Sequence, residues 1–378
     1  MKLAYIVSAM HYPNGMAKII TDKINWFAEH TNYEIWMIET ERADLPHYYP
    51  LHPNVKSINF DLNFDTIYSL PFLKRIISYK NKEFKFKKML SDFLIELKPD
   101  ITISTLRREI NFLHKIHDGS KKIGEIHFAK NYYRIFRKSF FPPFVNNWIT
   151  KYWQKQLIDK IRKLDKFVVL THEDARQWTA INNLVVIPNF INELPTLIST
   201  CKNKQVIALG RYSEEKGFDL LIQAWKIVEN KHPDWKLDIY GSGNWKYYQD
   251  IANSYELSTV SCHPAESDVA MLYSNASIYV LSSRQEGFGL VLVEAQSHGL
   301  PIVSFACPCG PIDIVDESNG ILTKNGNIPL LADGIIHLIE DEELRKEMGF
   351  AARNNAKKYL VDSVINKWIL LFNEVLAK

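Results

Sequence analysis

The sequence predicts an α/β protein with two successive doubly wound domains, each an open, mostly parallel sheet. Three observations support this fold class. The chain has 378 residues, too many for one ordinary domain, and its 46% hydrophobic content can fill two cores. Short β-rich apolar runs alternate with helical stretches. The alternation breaks near residues 190–203 and then restarts.

Seven apolar runs in the first half have the length and composition of strands. They begin at Leu3, Tyr33, Val55, Asp100, Lys121, Lys166 and Leu184. Because helical stretches separate them, the connections are predicted to be crossovers and the strands parallel. Residues 1–190 are therefore predicted to form the first domain.

Six further runs follow the break in the pattern. They begin at Gln205, Trp235, Ser258, Ala276, Pro301 and Gly320. Residues 191–360 are predicted to form the second domain. The closing stretch, 361–378, has the pattern of an amphipathic helix with no strand after it, and we expect it to pack back on the first domain.

The composition constrains the location of the protein and the class of its sites. No apolar stretch approaches the roughly 20 residues that cross a bilayer, and the first residues lack a signal-peptide cleavage pattern, so a cytoplasmic location is expected. Four cysteines in so long a chain do not make a disulfide framework, and reduced thiols are expected. Cys307 and Cys309 lack a second cysteine pair, which leaves a metal site as the alternative.

The formal charge of +3 conceals an asymmetry between the two halves. Residues 1–190 carry 29 Lys and Arg against 19 Asp and Glu, whereas the remainder carries 17 against 24. Basic residues mix with aromatic ones in stretches 70–90 and 129–156. This mixture suits an anionic membrane surface or a phosphorylated acceptor, but also a solvated helix face. The acidic second half and the absence of a recognised reading motif argue against nucleic-acid binding.

Ligands of open parallel sheets collect beyond the carboxyl ends of the strands, so the loops after the strands are informative. After "VIALG" come Arg211, Ser213, Lys216 and Gly217. An arginine fork, a lysine and a helix start suit a diphosphate. The same residues would also suit a simple capped helix start.

Gly241 and Gly243 follow the next strand of the second half. They permit close approach of a ligand to the backbone, but a lone GxG also marks any tight turn from strand to helix.

The stretch "EGFGLVLVEAQSHG" follows the run that begins at Ala276. It predicts a loop and then a helix that begins near Phe288 or Gly289 and ends at Gly299. The amides of residues 287–290 would have no acceptor within the helix and could bind sugar hydroxyls or phosphate. Glu294 lies among apolar neighbours, where an idle charge would be costly, so it is predicted to accept hydrogen bonds from a ribose. An exposed helix carboxylate is the alternative.

Together the segments "GRYSEEKGFDLLIQAW", "IYGSG" and "EGFGLVLVEAQSHGLPIV" resemble the C-terminal half of family 4 glycosyltransferases. The spacing of Glu286 and Glu294 matches the E-x7-E signature of that family. The resemblance is strong over residues 205–325, whereas the first 190 residues match only in layout. It implies the GT-B fold, two Rossmann-like domains facing across a cleft, and a retaining reaction on a nucleotide-diphosphate sugar.

The resemblance also implies roles for individual residues. Arg211 and Lys216 would bind the donor diphosphate and Glu294 the ribose. Glu286, a catalytic candidate, would hold the transferred sugar and its phosphate together with three amides. These belong to Phe288, Gly289 and Leu290, and Gly287 precedes them. His263 would lie in the base-binding segment. The segment "CPCGPIDIV" is similar to members that build lipopolysaccharide, capsule or exopolysaccharide.

In the first half, family members carry a glycine-rich loop after the first strand and a histidine after a later one. The loop "SAMHYPNGMAK" has a single glycine, Gly15, where many members have a pair, so contact with the diphosphate would occur there. His127, which follows a strand, is the candidate catalytic histidine, and His172 competes with it. A buried histidine with satisfied hydrogen bonds is the alternative for His127.

The predicted function is therefore retaining transfer of a hexose-type sugar to a glycan or lipid-linked glycan acceptor in cell-surface polysaccharide synthesis. A UDP-sugar is the expected donor, and the leaving diphosphate would take the acceptor's proton. No cofactor or metal is expected, because no DxD-like pair follows a strand. A non-catalytic sugar-nucleotide sensor and a sugar-nucleotide epimerase are the alternatives.

Overall fold

The computed structural model describes residues 1–133, 135, 136 and 141–377. Contacts within the chain divide it into two compact units. The first unit comprises residues 1–170, 175–187 and 365–378, and the second comprises residues 171–174 and 188–364. Arg134, residues 137–140 and Lys378 lie outside the described residues, so part of the basic and aromatic stretch 129–156 does too.

The first unit contains a sheet of seven parallel strands in the order β3-β2-β1-β4-β5-β6-β7. The strands are β1 (Lys2–Ile6), β2 (Glu34–Glu39), β3 (Val55–Asn59), β4 (Ile101–Ser104), β5 (Lys121–Glu125), β6 (Lys166–Val169) and β7 (Leu184–Val186). The order turns back between β1 and β4, because the chain runs outward from β1 to β3 and then returns to β4. Side chains of the central strands are buried, as is typical of a parallel sheet covered on both faces.

Helices connect these strands. They are α1 (Gly15–His30), α2 (Phe72–Leu97), α3 (Pro143–Ile161) and α4 (His172–Gln177). The side chain of Asn14 accepts a hydrogen bond from the amide of Ala17 at 2.8 Å and so fixes the start of α1. On α2 only Phe86, Leu90 and Leu94 are buried, so most of this long helix is exposed or half-buried.

The second unit contains a sheet of six parallel strands in the order β10-β9-β8-β11-β12-β13. The strands are β8 (Gln205–Leu209), β9 (Lys236–Tyr240), β10 (Val260–His263), β11 (Ile278–Leu281), β12 (Ile302–Phe305) and β13 (Gly320–Thr323). The order turns back between β8 and β11, which are neighbours in the sheet.

Seven helices in the described part of the second unit cover its sheet or follow it. They are α5 (Phe218–Lys231), α6 (Trp245–Ser254), α7 (Val269–Asn275), α8 (Leu290–Ser297), α9 (Pro311–Ile314), α10 (Ile328–Glu340) and α11 (Glu342–Ala356). Side chains of Asn244, Asp268, Asn327 and Asp341 cap four of them at the N-terminus.

The closing helix is α12 (Val361–Leu376), and its residues from Ile365 onward belong to the first unit. Phe372 packs against Phe27 of α1, with ring centroids 5.6 Å apart. Trp368 lies against Lys23 of the same helix, with 3.9 Å from Nζ to the ring centroid. The helix therefore completes the core of the first unit.

The alternation of strands and helices confirms the predicted fold class. All thirteen predicted runs contain a strand, and every strand pair described is parallel. The predicted helix after Glu286 begins at Leu290, one or two residues later than expected. In the described part of the chain, no helix combines the length and apolar character that crossing a membrane requires.

Candidate functional site

The second sheet has its switch point between β8 and β11. The chain runs from β8 outward to β10 and returns to β11, so the loops after β8 and β11 open side by side at the carboxyl edge. Open α/β sheets bind their ligands at such a point. The two loops are residues 210–217 and 282–289.

Lys216 and Glu286 meet at this switch point. Lys216 Nζ lies 2.7 Å from Glu286 Oε1, and Ser283 Oγ donates a hydrogen bond to the same oxygen at 2.6 Å. The two side chains are 19% and 10% exposed, so the ion pair is partly shielded from water and still open on one side. The structure thus brings together two residues that the sequence analysis assigned to the donor site.

The two loops are held together by backbone and side-chain contacts. Gly217 has a φ of +63°, and a Cβ there would lie 2.1 Å from the carbonyl oxygen of Ser282. Ser282 Oγ donates to the carbonyl of Lys216 at 2.9 Å. Arg284 donates to both carboxylate oxygens of Asp219 at 2.8 and 2.7 Å. These contacts fix the position of the lysine, and Gly217 has a steric reason to be glycine.

Two buried polar atoms in the same loops have no hydrogen-bond partner among the described residues. They are Oγ of Ser213 and Oε1 of Gln285. Buried polar groups are nearly always hydrogen-bonded, so such groups call for a partner from outside the chain. Ser213 Oγ can donate to a phosphate oxygen beside Lys216.

Helix α8 begins directly after the Glu286 loop. Its N-cap residue, Gly289, has a φ of +85° and no side chain to accept hydrogen bonds from the first amides. Those amides carry the positive end of the helix dipole, which favours an anion. Phe288 is buried, and a Cβ on Gly310 would lie 1.9 Å from the Phe288 carbonyl oxygen, so close backbone packing holds the loop. Gly287 and Leu290 flank these two residues.

Glu294 is half-buried in the second turn of α8. It accepts a hydrogen bond from the hydroxyl of Tyr273 at 3.3 Å. Burial raises the pKa of the neighbouring Tyr279 hydroxyl, and the charges of Glu286 and Glu294 raise this pKa further. Both carboxylates therefore act on the same buried tyrosine.

Arg211 also lies in the loop after β8, where its ion-pair partner is Glu215 rather than Glu286. Its side chain is 68% exposed, and Nη2 lies 3.6 Å from Oε2 of Glu215. The structure does not bring Arg211 together with Lys216 and Glu286, and its contact with a diphosphate stays a prediction.

Gly241 and Gly243 have packing reasons of their own. A Cβ on Gly241 would lie 1.7 Å from the carbonyl oxygen of Gly210, and Gly243 has a φ of +112° against Tyr212. The two glycines therefore let the loops after β8 and β9 touch. Their contact with the donor stays a prediction.

His263 ends β10 at the same edge of the sheet. Its ring stacks on Tyr240 with centroids 4.3 Å apart, and Nε2 lies 2.7 Å from Oδ1 of Asp238. The side chain is 35% exposed. A partly exposed aromatic stack can take a planar base, and contact of His263 with the donor base stays a prediction.

The first-unit candidates occupy different environments. Gly15 is exposed at the start of α1, and no atom lies within 4 Å of a Cβ built there. The side chain of His127 is only 4% exposed, and its Nε2 lies 3.1 Å from Oε1 of Glu125 without hydrogen-bond geometry. The same oxygen of Glu125 accepts a hydrogen bond from Lys23 at 2.7 Å.

His172 and the cysteines belong to the second unit. The amide of His172 donates to Asp313, and its side chain is exposed. All four cysteines are free and buried. Within the described residues, no group of three or more His, Cys, Asp or Glu side chains is arranged to hold a metal ion.

The sequence analysis missed several polar residues near this site. Ser283 could have been found, because it comes directly after the predicted strand β11. Tyr273 lies on α7 and reaches Glu294 on α8, a contact for which the sequence has no local signal. In the first unit the sequence analysis also missed Arg107 and Arg108, which follow β4 and could have been found in the same way as Ser283.

Comparison with known families finds a match within the second unit. Residues 196–355 match the family model described as glycosyl transferases group 1. The match covers less than half of the chain and shows that this part of the second half is similar to that family.

Several curated proteins are similar in sequence. An uncharacterized glycosyltransferase of Haemophilus influenzae is 34% identical over 54% of this chain and 60% of its own length. The amylovoran biosynthesis glycosyltransferase AmsD of Erwinia amylovora is 28% identical over 55% of this chain and 62% of its own length. The poly(ribitol-phosphate) alpha-N-acetylglucosaminyltransferase of Staphylococcus aureus is 32% identical over 58% of this chain and 46% of its own length. The chain thus spans less than two thirds of the length of each.

Solved structures show the same fold. S. aureus TarM, crystallised with fondaparinux, alpha-GlcNAc-glycerol and UDP, is 18% identical with a TM-score of 0.75, covering 98% of this chain and 99% of TarM. The lipopolysaccharide outer core galactosyltransferase WaaB is 18% identical with a TM-score of 0.74, covering 100% and 99%. At this identity the likeness shows the fold alone, which is GT-B with two Rossmann-like domains.

Proposed function

We propose that this protein is a retaining glycosyltransferase. It transfers a hexose-type sugar from a nucleotide-diphosphate donor, most simply a UDP-sugar, to a glycan or lipid-linked glycan in the synthesis of a cell-surface polysaccharide. The observation that carries the proposal is the Lys216–Glu286 ion pair at the switch point of the second sheet, inside the segment that matches the group 1 family. In α/β sheets such a point is where a nucleotide diphosphate binds.

The donor would engage both loops at this point. Lys216 and the first amides of α8 would neutralise the diphosphate, and Ser213 Oγ would donate to one of its oxygens. Release of Lys216 to the phosphate would free Glu286 to accept hydrogen bonds from the sugar. Glu294 would hold the ribose, and His263 and Tyr240 would stack on the base.

The reaction would depend on electrostatic stabilisation of the leaving group. The departing diphosphate would take the proton of the acceptor hydroxyl on the face from which it leaves, which retains the anomeric configuration. Lys216, Arg211 and the α8 terminus would stabilise the charge that develops. We expect no metal requirement, because the sequence has no DxD-like pair after a strand.

His127 would orient the sugar from the first unit. Its imidazole is nearly buried beside the Lys23–Glu125 pair, which limits the directions in which the ring can point. Gly15, exposed at the start of α1, leaves the backbone there open to a phosphate.

The nature of the acceptor is suggested by the names of the relatives. Two of them are named for amylovoran and for poly(ribitol-phosphate), which are polymers rather than small molecules. We therefore expect a polymer acceptor. A cytoplasmic protein that touches the inner membrane face would meet such an acceptor while it is still attached to a lipid.

The decisive experiment measures donor binding and transfer separately. Thermal stabilisation by a panel of UDP- and GDP-sugars identifies the donor, because a ligand that binds only the native state raises the melting temperature. Transfer is then measured with that donor and a cell-envelope extract as the acceptor. Lys216→Ala and Arg211→Ala are expected to lower kcat/KM by at least about 100-fold, because each removes a cation that stabilises the leaving group.

Lys236→Ala is the matched control. Lys236 is an exposed lysine at the amino end of β9, at the opposite edge of the same sheet, and its loss should leave turnover unchanged. Near-normal turnover of the Lys216 variant would refute the proposed role. Donor binding without transfer or hydrolysis would instead favour a sugar-nucleotide sensor, and conversion of the donor without an acceptor would favour an epimerase.

A further inference from the structure

The described part of the first unit contains an open cavity of about 1070 Å³ between α2 and α3. Residues from α2 and α3 form its sides, and the segment after β4 contributes residues between them. None of these residues belongs to the donor site in the second unit. We call this cavity the basic groove.

The lining of the basic groove is strongly positive. Six cationic side chains and one carboxylate line it. The cations are Lys80, Lys87, Arg107, Arg108, Lys115 and Lys160. The carboxylate, Glu83, already accepts a hydrogen bond from Asn111 at 2.7 Å and pairs with Lys80 at 3.1 Å. One carboxylate therefore cannot neutralise the six cations of the groove.

Two of these cations have no counter-charge among the described residues. Lys87 and Lys115 are exposed, and neither has an ion-pair partner among the residues that the structure describes. The pKa of nearby His114 is lowered by burial and further by the charges of Lys163, Lys115 and Lys160. The wall of the groove therefore has a positive potential that an anion would relieve.

The position of the groove in the sheet is one that binds ligands. Arg107 and Arg108 come directly after β4, at the carboxyl edge. β4 pairs with β1 where the strand order of the first sheet turns back. Arg108 is fixed there by Glu41 at 3.3 Å, by Asp65 at 3.5 Å and by the ring of Phe64. Because two carboxylates already pair with Arg108, an anionic ligand at this switch point would be attracted mainly by the lysines of the groove.

Aromatic side chains line the groove together with the cations. Tyr68, Phe84 and Trp153 line the groove and are 61%, 74% and 38% exposed. Exposed rings of this kind offer flat apolar faces to the apolar faces of sugar rings. A small free anion would use the cations but not the rings. A chain in which sugars or polyols alternate with phosphates would use both.

We infer that the basic groove binds a phosphodiester-containing glycan, in which phosphates repeat along the chain and contact Lys87, Lys115 and the arginines after β4. This inference rests on the proposed function only for calling that glycan the acceptor. Its phosphates, not a lipid diphosphate, are the groups recognised, because the cations come from α2, from the segment after β4 and from α3 rather than from one loop.

Binding is tested with a fluorescently labelled glycerol-phosphate oligomer at low salt, by anisotropy, without any donor. Lys87→Gln combined with Lys115→Gln should weaken binding at least about fivefold, because two phosphate contacts are lost. Lys85→Gln combined with Lys88→Gln is the matched control, since both are exposed on α2 but do not line the groove. It should change affinity little. Unchanged melting temperatures would show that both double variants are folded.

Competition with unlabelled compounds shows which chemical groups the groove recognises. An unlabelled oligomer should displace the probe, whereas a neutral maltooligosaccharide should not. The inference would be overturned if the neutral sugar displaced the probe or if the oligomer did not bind. It would also be overturned if the protein bound farnesyl diphosphate but not the oligomer, or if the two double variants lost affinity for the oligomer equally. Oligomer binding by a protein that no UDP- or GDP-sugar stabilises would contradict the proposed function but leave the groove assignment intact.

Discussion

The ion pair between Lys23 and Glu125 lies at the centre of the first unit. Lys23 Nζ lies 2.7 and 2.6 Å from the two carboxylate oxygens, and the side chains are 1% and 2% exposed. Burial alone would raise the pKa of Glu125, but the charge of Lys23 and, less strongly, that of His127 hold it at about 2. The carboxylate thus stays ionised in the core because its cation is there.

Removing Lys23 alone should destabilise the protein much more than removing both charges of the ion pair. Lys23→Met leaves a buried charge without a counter-charge, and we expect the free energy of unfolding to fall by about 3–5 kcal/mol. In the double variant with Glu125→Gln, no charge remains buried, so most of the loss should be recovered. Urea unfolding followed by tryptophan fluorescence measures both.

Lys18→Met on the same helix is the control for this prediction. Lys18 pairs with Asp22 at 2.8 Å at the surface, with side chains 40% and 20% exposed, and its loss should cost less than about 1 kcal/mol. Equal effects of the two lysine substitutions would show that the buried pair contributes no more than a surface pair.

At the scale of elements, the strands were predictable and the contacts between their loops were not. Apolar runs of β-forming residues locate a strand because a parallel strand is buried on both faces. Lys216 and Glu286 could be assigned to one site because both follow strands of one sheet. By contrast, Lys23 and Glu125 are far apart in the sequence, and the contact of Gly241 with Gly210 depends on how two loops pack. A local sequence pattern does not predict contacts between residues that are far apart in the chain.

The start of α8 illustrates the same limit. Phe288 and Gly289 were both possible first residues, and the helix begins at Leu290 because Gly289 has a φ of +85°, which a helix cannot include. A sequence indicates that a glycine can take this conformation but not which glycine does. The sequence identified the basic and aromatic stretches 70–90 and 129–156 but not the groove, because its cations come from α2, from the segment after β4 and from α3.

The loops after β8 and β9 give a prediction at this scale. Gly241→Ala would place a Cβ 1.7 Å from the carbonyl oxygen of Gly210. The loop after β8, which holds Lys216, must then move away from the loop after β9. We expect a lower melting temperature and weaker stabilisation by the donor. Gly15→Ala is the control for the melting temperature alone, because its Cβ meets nothing within 4 Å and alanine favours the helix that begins there. A Gly241→Ala protein as stable as the control would contradict the close contact.

At the scale of the whole molecule, charge and exposed apolar surface coincide in the first half of the chain. Residues 1–190 carry the excess of basic residues. The first turns of α2 expose Phe72, Leu73 and Ile77 at 70%, 73% and 62%, and α3 exposes Trp148 at 69%. Soluble surfaces rarely leave so many large apolar side chains together, and basic residues among them favour an anionic bilayer surface.

This surface leads to the last prediction, which concerns vesicle binding. At low salt we expect the protein to sediment with anionic liposomes and to be released as salt screens the lysines. Leu73→Glu should lower the bound fraction several-fold, because it removes an inserted side chain and adds a repelled charge. Leu370→Glu is the matched control, since Leu370 is a leucine of the same unit that is 68% exposed on α12, outside the basic and aromatic stretches. If the two variants lose binding equally, or if the wild type does not bind, the exposed side chains of α2 need another partner.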